Sequence, residues 1–442
     1  MTDVDRTPAR GERPTTNDGP ADVGPAERED RERLARRTVR VLMGSQVLGG
    51  AGLASGYAAA ALLADELTGS DALAGLTAAM MPLGSAVAAV PLARLMARRG
   101  RRPGLRIGYL LASVGTGLAI LAAALDIFPI LPLGIALLGV GNSSNLAARF
   151  AAGDLATDET RARFIGVLVW ATTIGSVIGP SLALGAAQDV ASALGLRALS
   201  GAYLFSVVFF AAAALVVDRL LRPDPLVVAG GLDVEARPGR SATRESAALI
   251  RSQPLAMMAV IAMVIAHMTM VGIMTMTPLH MEDGDHELRI IGFVISLHIV
   301  GMYAFSPVVG WLTDRVGRLR VIAAGAVVLA VGAELAGHAP PEQANTVFIG
   351  LFLIGLGWSC ALIAGSTLLT DLFPASQRVG VQGVADLAMT GAGAAAGLAA
   401  GGVVAVAGYH ELTMIGVVGS ACLAVAAIAA ILRGRRDTPA AI

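Results

Sequence analysis

Twelve apolar stretches of bilayer-crossing length recur along this chain of 442 residues, and they leave it few ways to fold. Lipid supplies no water to satisfy backbone N–H and C=O groups, so a spanning segment must satisfy them internally. A helix does so with about 20 consecutive apolar residues. In the first half such stretches cover 41–63, 72–93, 105–125, 128–151, 164–187 and 197–218. In the second half they cover 254–280, 289–311, 320–337, 345–370, 379–406 and 410–432. Composition agrees: 55% of residues are hydrophobic and 15% charged, against roughly 25% charged in soluble proteins. The expected fold class is an all-α, multi-pass integral membrane protein with twelve transmembrane helices.

The loops set the orientation. Arg36, Arg37 and Arg40 precede the first span, and Arg98, Arg99, Arg101 and Arg102 follow the second. Arg315, Arg318 and Arg320 follow the eighth span, and Arg433, Arg435 and Arg436 end the chain. The alternate loops are acidic, with Asp65, Glu66 and Asp71 in one and Glu282, Asp283, Asp285 and Glu287 in another. The positive-inside rule then places both termini in the cytoplasm and the protein in the cell inner (cytoplasmic) membrane. The 33 basic residues, all arginine, balance 33 acidic ones, and no nucleic-acid partner is expected. Cys360 and Cys422 lie in apolar segments without metal-ligand spacing and read as buried thiols.

The spans divide into two sets. Residues 1–37, rich in Arg, Asp, Glu, Pro and Gly, read as a disordered cytoplasmic tail. A six-helix bundle over 38–218 is expected, then a cytoplasmic linker over 219–253, which has little apolar periodicity. A second six-helix bundle over 254–433 and a short tail over 434–442 complete the chain. The halves repeat: Gly100-Arg101 maps onto Gly317-Arg318, Asp154 onto Asp371, Arg161 onto Arg378 and Gly166 onto Gly383, an offset of 217 residues throughout (317 − 100). Weak internal symmetry of this kind is a mark of secondary transporters.

The segment Gly310-Trp-Leu-Thr-Asp314-Arg315-Val-Gly317-Arg318 follows the eighth span. It resembles the G-x-L-x-D-R-x-G-R signature of the major facilitator superfamily. That resemblance implies two six-helix bundles around a cavity that opens alternately to each side. It also implies gating by Gly310, Asp314, Arg315, Gly317 and Arg318, with Asp314 and Arg315 latching neighbouring helix ends. The first-half counterpart is degenerate, with Ala97 where the aspartate would stand, so a latch there must use other acceptors such as helix C-terminal carbonyls. Gly175-Ser-Val-Ile-Gly179-Pro180 resembles the G-x-x-x-G-P motif of proton-coupled drug antiporters; small-residue helix packing is the simpler account.

Two i,i+4 pairs of soft ligands lie on consecutive spans: Met270 and Met274 on the seventh, His298 and Met302 on the eighth. Such spacing returns each pair to one helix face. Thioether and imidazole ligands suit Cu(I), and a histidine in a bilayer needs a partner. The pairs resemble the M-x-x-x-M and H-x-x-x-M marks of the CcoA-like bacterial copper importers. That branch includes riboflavin importers, so the resemblance leaves the cargo open. His267 joins Met263, Met270 and Met274 on one helical stripe and is a candidate additional ligand. Packing is the alternative for the methionines.

Arg149, Asp154, Glu334 and Asp386 are charged groups in or beside apolar sequence and are candidates for coupling or gating. Arg149 has two readings, snorkelling to the surface or pairing with Asp154. Gln46 of the first span is placed to face a central cavity. The chain has no G-x-x-x-x-G-K-[ST] signature, so ATP is not the expected energy source. A cation entering down a 100 mV potential gains about 2.3 kcal/mol, which suffices for uniport or proton-coupled import. No nucleophile–base constellation suggests an enzyme, and no cofactor is expected beyond copper as cargo.

The leading expectation is thus secondary active transport by alternating access, importing copper through the Met/His site. The alternative is proton-coupled transport of an organic solute, as riboflavin-like vitamin import or drug efflux. The expected partners are the cargo, protons and the lipid bilayer.

Overall fold

The computed structural model describes residues 25–183, 186–232, 240–282, 284, 287–340 and 343–437, and every regular element among them is a helix. The first span is α1 (Pro25–Ala58), continued past a break at Ala59 by α2 (Ala60–Thr68). Then follow α3 (Asp71–Arg99), α4 (Arg101–Leu125), α5 (Ile130–Gly153) and α6 (Arg161–Ala183). The short α7 (Ala186–Ala193) leads into α8 (Ser200–Leu220), and α9 (Pro225–Val228) and α10 (Arg240–Ser252) lie in the connection between halves. The second half comprises α11 (Pro254–Glu282), α12 (Leu288–Tyr303) with α13 (Ser306–Val316), α14 (Arg318–His338), α15 (Ala344–Leu372), α16 (Ala375–Ala407) and α17 (Tyr409–Asp437). Among the described residues, twelve helical stretches are long and apolar enough to cross a membrane. Strongly exposed apolar side chains such as Val87 (74%), Val425 (68%) and Val406 (90%) suit contact with lipid.

The eighth span breaks between α12 and α13 because Pro307 lies in the first turn of α13. Proline has no N–H to donate to a preceding turn, and its fixed φ suits a helix start.

Three segments carry more helix than the sequence leads one to expect. The amino-terminal stretch expected to be disordered is helical from Pro25, where Glu29–Arg33 (2.5 Å) and Glu32–Arg36 (2.9 Å) pair one turn apart. Residues 1–24 lie outside the described residues. The linker contains α9 and α10. Asp224 caps α9 by accepting from the Leu226 N–H at 3.0 Å, and its carboxylate also accepts the Arg101 and Arg102 N–H groups at 3.1 and 2.7 Å, closing the start of α4. Residues 233–239 lie outside the described residues. The last helix continues to Asp437, with 438–442 beyond the description.

Each half packs as a bundle. In the first, α5 contacts α3 and α4, and α1 contacts α6 and α8; in the second, α14 contacts α15 and α17, and α11 contacts α15 and α16. The bundles meet along two main seams, α3 with α16 and α6 with α13. The repeat offset carries α3 onto α12–α13 and α6 onto α16, so it exchanges the seams. Glycines allow the approach. A Cβ on Gly310 would strike the Ala162 carbonyl, and one on Gly166 would strike the Ser306 carbonyl. Both seams are tight at the end of the molecule that carries the Asp314 loop, called here the signature end. Toward the opposite end, Gly75 of α3 and Gly402 of α16 have open space beside them.

Candidate functional site

A cavity of about 700 Å³, counting its open mouth, lies between the bundles. The first bundle contributes the carboxamides of Gln46, Asn142 and Asn145 and the hydroxyls of Thr172 and Ser176. Aromatic rings come from both sides, Tyr57 from the first bundle and Tyr303 and Trp358 from the second. Tyr303 and Trp358 stand edge-to-face, with centroids 5.8 Å apart and planes at 89°. Gln46 therefore lies where the sequence placed it.

Arg149 of α5 also lines this cavity. Its guanidinium crosses the bundle boundary to the Asp386 carboxylate on α16, donates through Nε to Ser366 Oγ of α15 at 3.0 Å, and donates to the Leu146 carbonyl at 2.5 Å. The two side chains are 2% and 7% exposed. An ion pair so shielded has its charges and hydrogen bonds matched within protein, because a lone charge there would be very costly. Both readings of Arg149 are corrected here: it neither snorkels nor pairs with Asp154. Asp386 lines a second, smaller pocket of about 250 Å³ with Ser143, Arg101 and Gln382, nearer the signature end. The Arg149–Asp386 pair is thus the partition between two cavities.

Beyond it, the signature end is closed by polar latches. Arg101 Nε donates to Asp154 Oδ2 at 2.8 Å and Nη2 to Asp154 Oδ1 at 3.1 Å, a bidentate pair with both side chains 1% exposed. The same Nη2 reaches Gln382 Oε1 of the other bundle at 2.7 Å. At the symmetry-related position Arg318 Nε donates to Asp371 Oδ2, also at 2.8 Å, and Asp371 pairs with Arg161 of the first bundle. Arg318 further donates to the Asp158 carbonyl. Asp314 accepts the backbone N–H groups of Ala162 (3.1 Å) and Arg163 (2.9 Å), so a carboxylate of one bundle caps the amino end of a helix of the other.

Asp314, Gly310 and Arg318 therefore sit at the seam, and Gly317 turns the chain between α13 and α14 with a φ of +105° that favours glycine. Arg315 does not join them. It is exposed and lies over the Trp311 ring at 5.2 Å, so the charge that acts with Asp314 is Arg318. On the first-half side, the contact that stands in for the missing aspartate is Arg101–Gln382, not a helix carbonyl. Gln382 gave no signal in the sequence. Asp371 did, as the repeat partner of Asp154.

The Met/His residues are arranged differently from the expected shared site. α12 packs mainly on α15, α11 packs on α16 and α15, and the two touch each other little. Met270 and Met302 are buried in the apolar core of the second bundle, and Met274 is half-buried. His298 is fully buried, and its Nδ1–H donates to the Leu351 carbonyl of α15 at 2.7 Å, which leaves Nε2 with a lone pair and no partner among the described residues. None of Met270, Met274, His298 and Met302 is among the described residues lining the cavity. His267 stands behind that lining: the Trp358 Nε1–H donates to its Nδ1 at 2.9 Å, and its ring lies against Gly393 of α16. Glu334 lies near the end of α14, partly exposed and 3.2 Å from His338, away from both cavities. Gly175 and Gly179 pack against the α1 backbone at Val47 and Ala51. Asp283 and Asp285 of the acidic loop lie outside the described residues.

Two six-helix bundles, closed at one end and enclosing a polar, aromatic cavity, define a membrane carrier. The Major Facilitator Superfamily model matches residues 42–288 and 285–441, and the chain belongs to that family. It is 36% identical over 389 residues to the uncharacterized MFS-type transporter YdeG of Bacillus subtilis, covering 88% of this chain and 90% of that one. It is 27% identical over 391 residues to the riboflavin transporter RfnT of Brucella anthropi, covering 86% and 92%. Its fold is similar to that of the human organic anion transporter MFSD10, with a TM-score of 0.72 at 15% identity over 89% of this chain and 99% of that one. The protein is a multi-pass membrane protein and a secondary transporter.

Proposed function

We propose that the protein moves a small aromatic organic solute through the central cavity and couples that movement to protons through Arg149 and Asp386. The observation that carries this reading is the cavity wall, where carboxamides and hydroxyls face aromatic rings. A flat, polar solute is recognised by such a mixture of stacking faces and hydrogen-bonding groups. The relative named as a riboflavin transporter supports a ring-bearing cargo. A copper cargo calls for converging sulfur and imidazole ligands. Met81 is the one sulfur-bearing side chain among the described residues lining the cavity.

Coupling follows from the partition. Arg149 donates to the Asp386 carboxyl; a solute that hydrogen-bonds the guanidinium competes for it and frees the carboxyl to take a proton. The positive-inside rule assigns the arginine-rich signature end to the cytoplasm, so the conformation described here is outward-facing. Carriage to the other side requires release of the Asp314 and Arg101 latches.

Proteoliposome uptake tests the reading. Labelled riboflavin and radioactive Cu(I) are offered with and without an imposed proton gradient. Gradient-dependent uptake of the flavin, without copper accumulation, is expected. Copper uptake that disappears in Met270→Ala and His298→Ala, with no flavin movement, would overturn it.

A further inference from the structure

Two carboxamides in the cavity wall are each tied down at one end only. Gln46 of α1 donates through Nε2 to Thr172 Oγ1 at 2.9 Å, while its Oε1 is buried without a partner. Asn145 of α5 accepts the Tyr109 hydroxyl on Oδ1 at 2.9 Å, while its Nδ2 is buried without a partner. Both residues are 5% exposed, and both line the cavity. They are neighbours: Gly49, one helical turn beyond Gln46, lies so close to Asn145 that a Cβ there would come within 2.5 Å of Asn145 Oδ1.

Buried polar groups are rarely left unpaired, because each costs about 1–3 kcal/mol. An unpaired acceptor beside an unpaired donor on one wall complements a ligand edge that carries a donor beside an acceptor. The N–H and C=O of a lactam or imide form such an edge within one rigid plane. Tyr303 and Trp358, also in the lining, offer ring faces to that plane. Both anchors are hydroxyls, which donate or accept, so each carboxamide can turn over without losing its tether.

We infer that Gln46 and Asn145 form a specificity pair that reads the amide-type edge of a planar heterocycle. This rests on the cavity being an organic-solute site and names the chemistry it selects. A charged headgroup is not needed, since Arg149 is already engaged by Asp386.

Binding to the purified full-length protein in nanodiscs tests the pair. The probes are lumichrome, which carries an imide edge; its 1,3-dimethyl derivative, in which both ring N–H donors are blocked; and quinoxaline, a flat ring without the edge. Lumichrome is expected to bind about ten- to a hundredfold more tightly than the methylated compound. Gln46→Leu and Asn145→Leu should erase that preference. Thr172→Val, which removes the tether of Gln46 and leaves the carboxamide in place, should weaken it, and thermal melting shows which variants are folded. The specificity pair is overturned if the parent binds lumichrome no better than its methylated form or quinoxaline, or if folded variants keep the preference. In those cases ring binding itself leaves the organic-solute reading standing. If no probe binds and copper is transported, both readings fall.

Discussion

Arg149 and Asp386 join the two bundles while facing different cavities: the arginine lines the larger one and the aspartate the smaller. A solute and a proton can therefore act on opposite members of one ion pair without sharing space. Asp386→Asn should abolish gradient-driven accumulation while leaving solute exchange across the membrane. The variant should also melt lower, since removing one member of a buried pair costs about 3–5 kcal/mol. Asp386→Asn combined with Arg149→Gln should recover much of that stability and none of the coupling. Proteoliposome uptake with and without a pH gradient, alongside melting curves, checks both outcomes.

The latches at the signature end give a second expectation. Asp314→Ala removes the acceptor for two N–H groups at the start of α6 and should cost about 1–2 kcal/mol of that closed state. A cysteine introduced at Ser143, beside the smaller pocket, should then react faster with a membrane-impermeant thiol reagent from the signature side. The measurement uses a background in which Cys360 and Cys422 are replaced by serine. Arg315→Ala, which removes a surface charge resting on Trp311, should leave that rate unchanged.

Close backbone approach gives a third. Gly310→Leu places a branched side chain where the Ala162 carbonyl lies and should hold the α6–α13 seam apart. Transport should fall at least about tenfold with normal insertion, and cross-linking between introduced cysteines on α6 and α13 should fail.

His267 holds Trp358 from behind, which gives a fourth. His267→Phe removes the acceptor of the indole N–H. Emission from Trp358, isolated by replacing Trp170 and Trp311 with phenylalanine, should shift in wavelength, and KM for the solute should rise more than the maximal rate falls. His267→Gln, which restores an acceptor, should recover most of the affinity. An unchanged spectrum and KM in both variants would contradict this positioning role.

The spans were readable because bilayer thickness imposes a length on every one of them, and the repeat because its offset is constant. The partners of the charged residues were not. Arg149 finds Asp386 237 positions away, and Arg101 finds Gln382 281 positions away, separations at which no local pattern survives. The same limit explains the Met/His pairs. Helical spacing places Met270 with Met274 and His298 with Met302, but it cannot say which helix each face meets. In the fold, α15 lies against both α11 and α12. The polar cavity was only partly legible: Gln46 stood out in apolar sequence, whereas Trp358 and Thr172 acquire meaning from their hydrogen bonds.

Ala97 removes one carboxylate from an otherwise duplicated arrangement, and the two sides of the closure are consequently unequal. The Asp314 side grips a helix end with a charge and backs it with Arg318, Asp371 and Arg161, whereas the Arg101 side crosses between bundles through the neutral amide of Gln382. A neutral acceptor is the weaker hold. The halves should accordingly part first along α3 and α16 and swing about α6 and α13, so that the signature end opens as a door on one hinge.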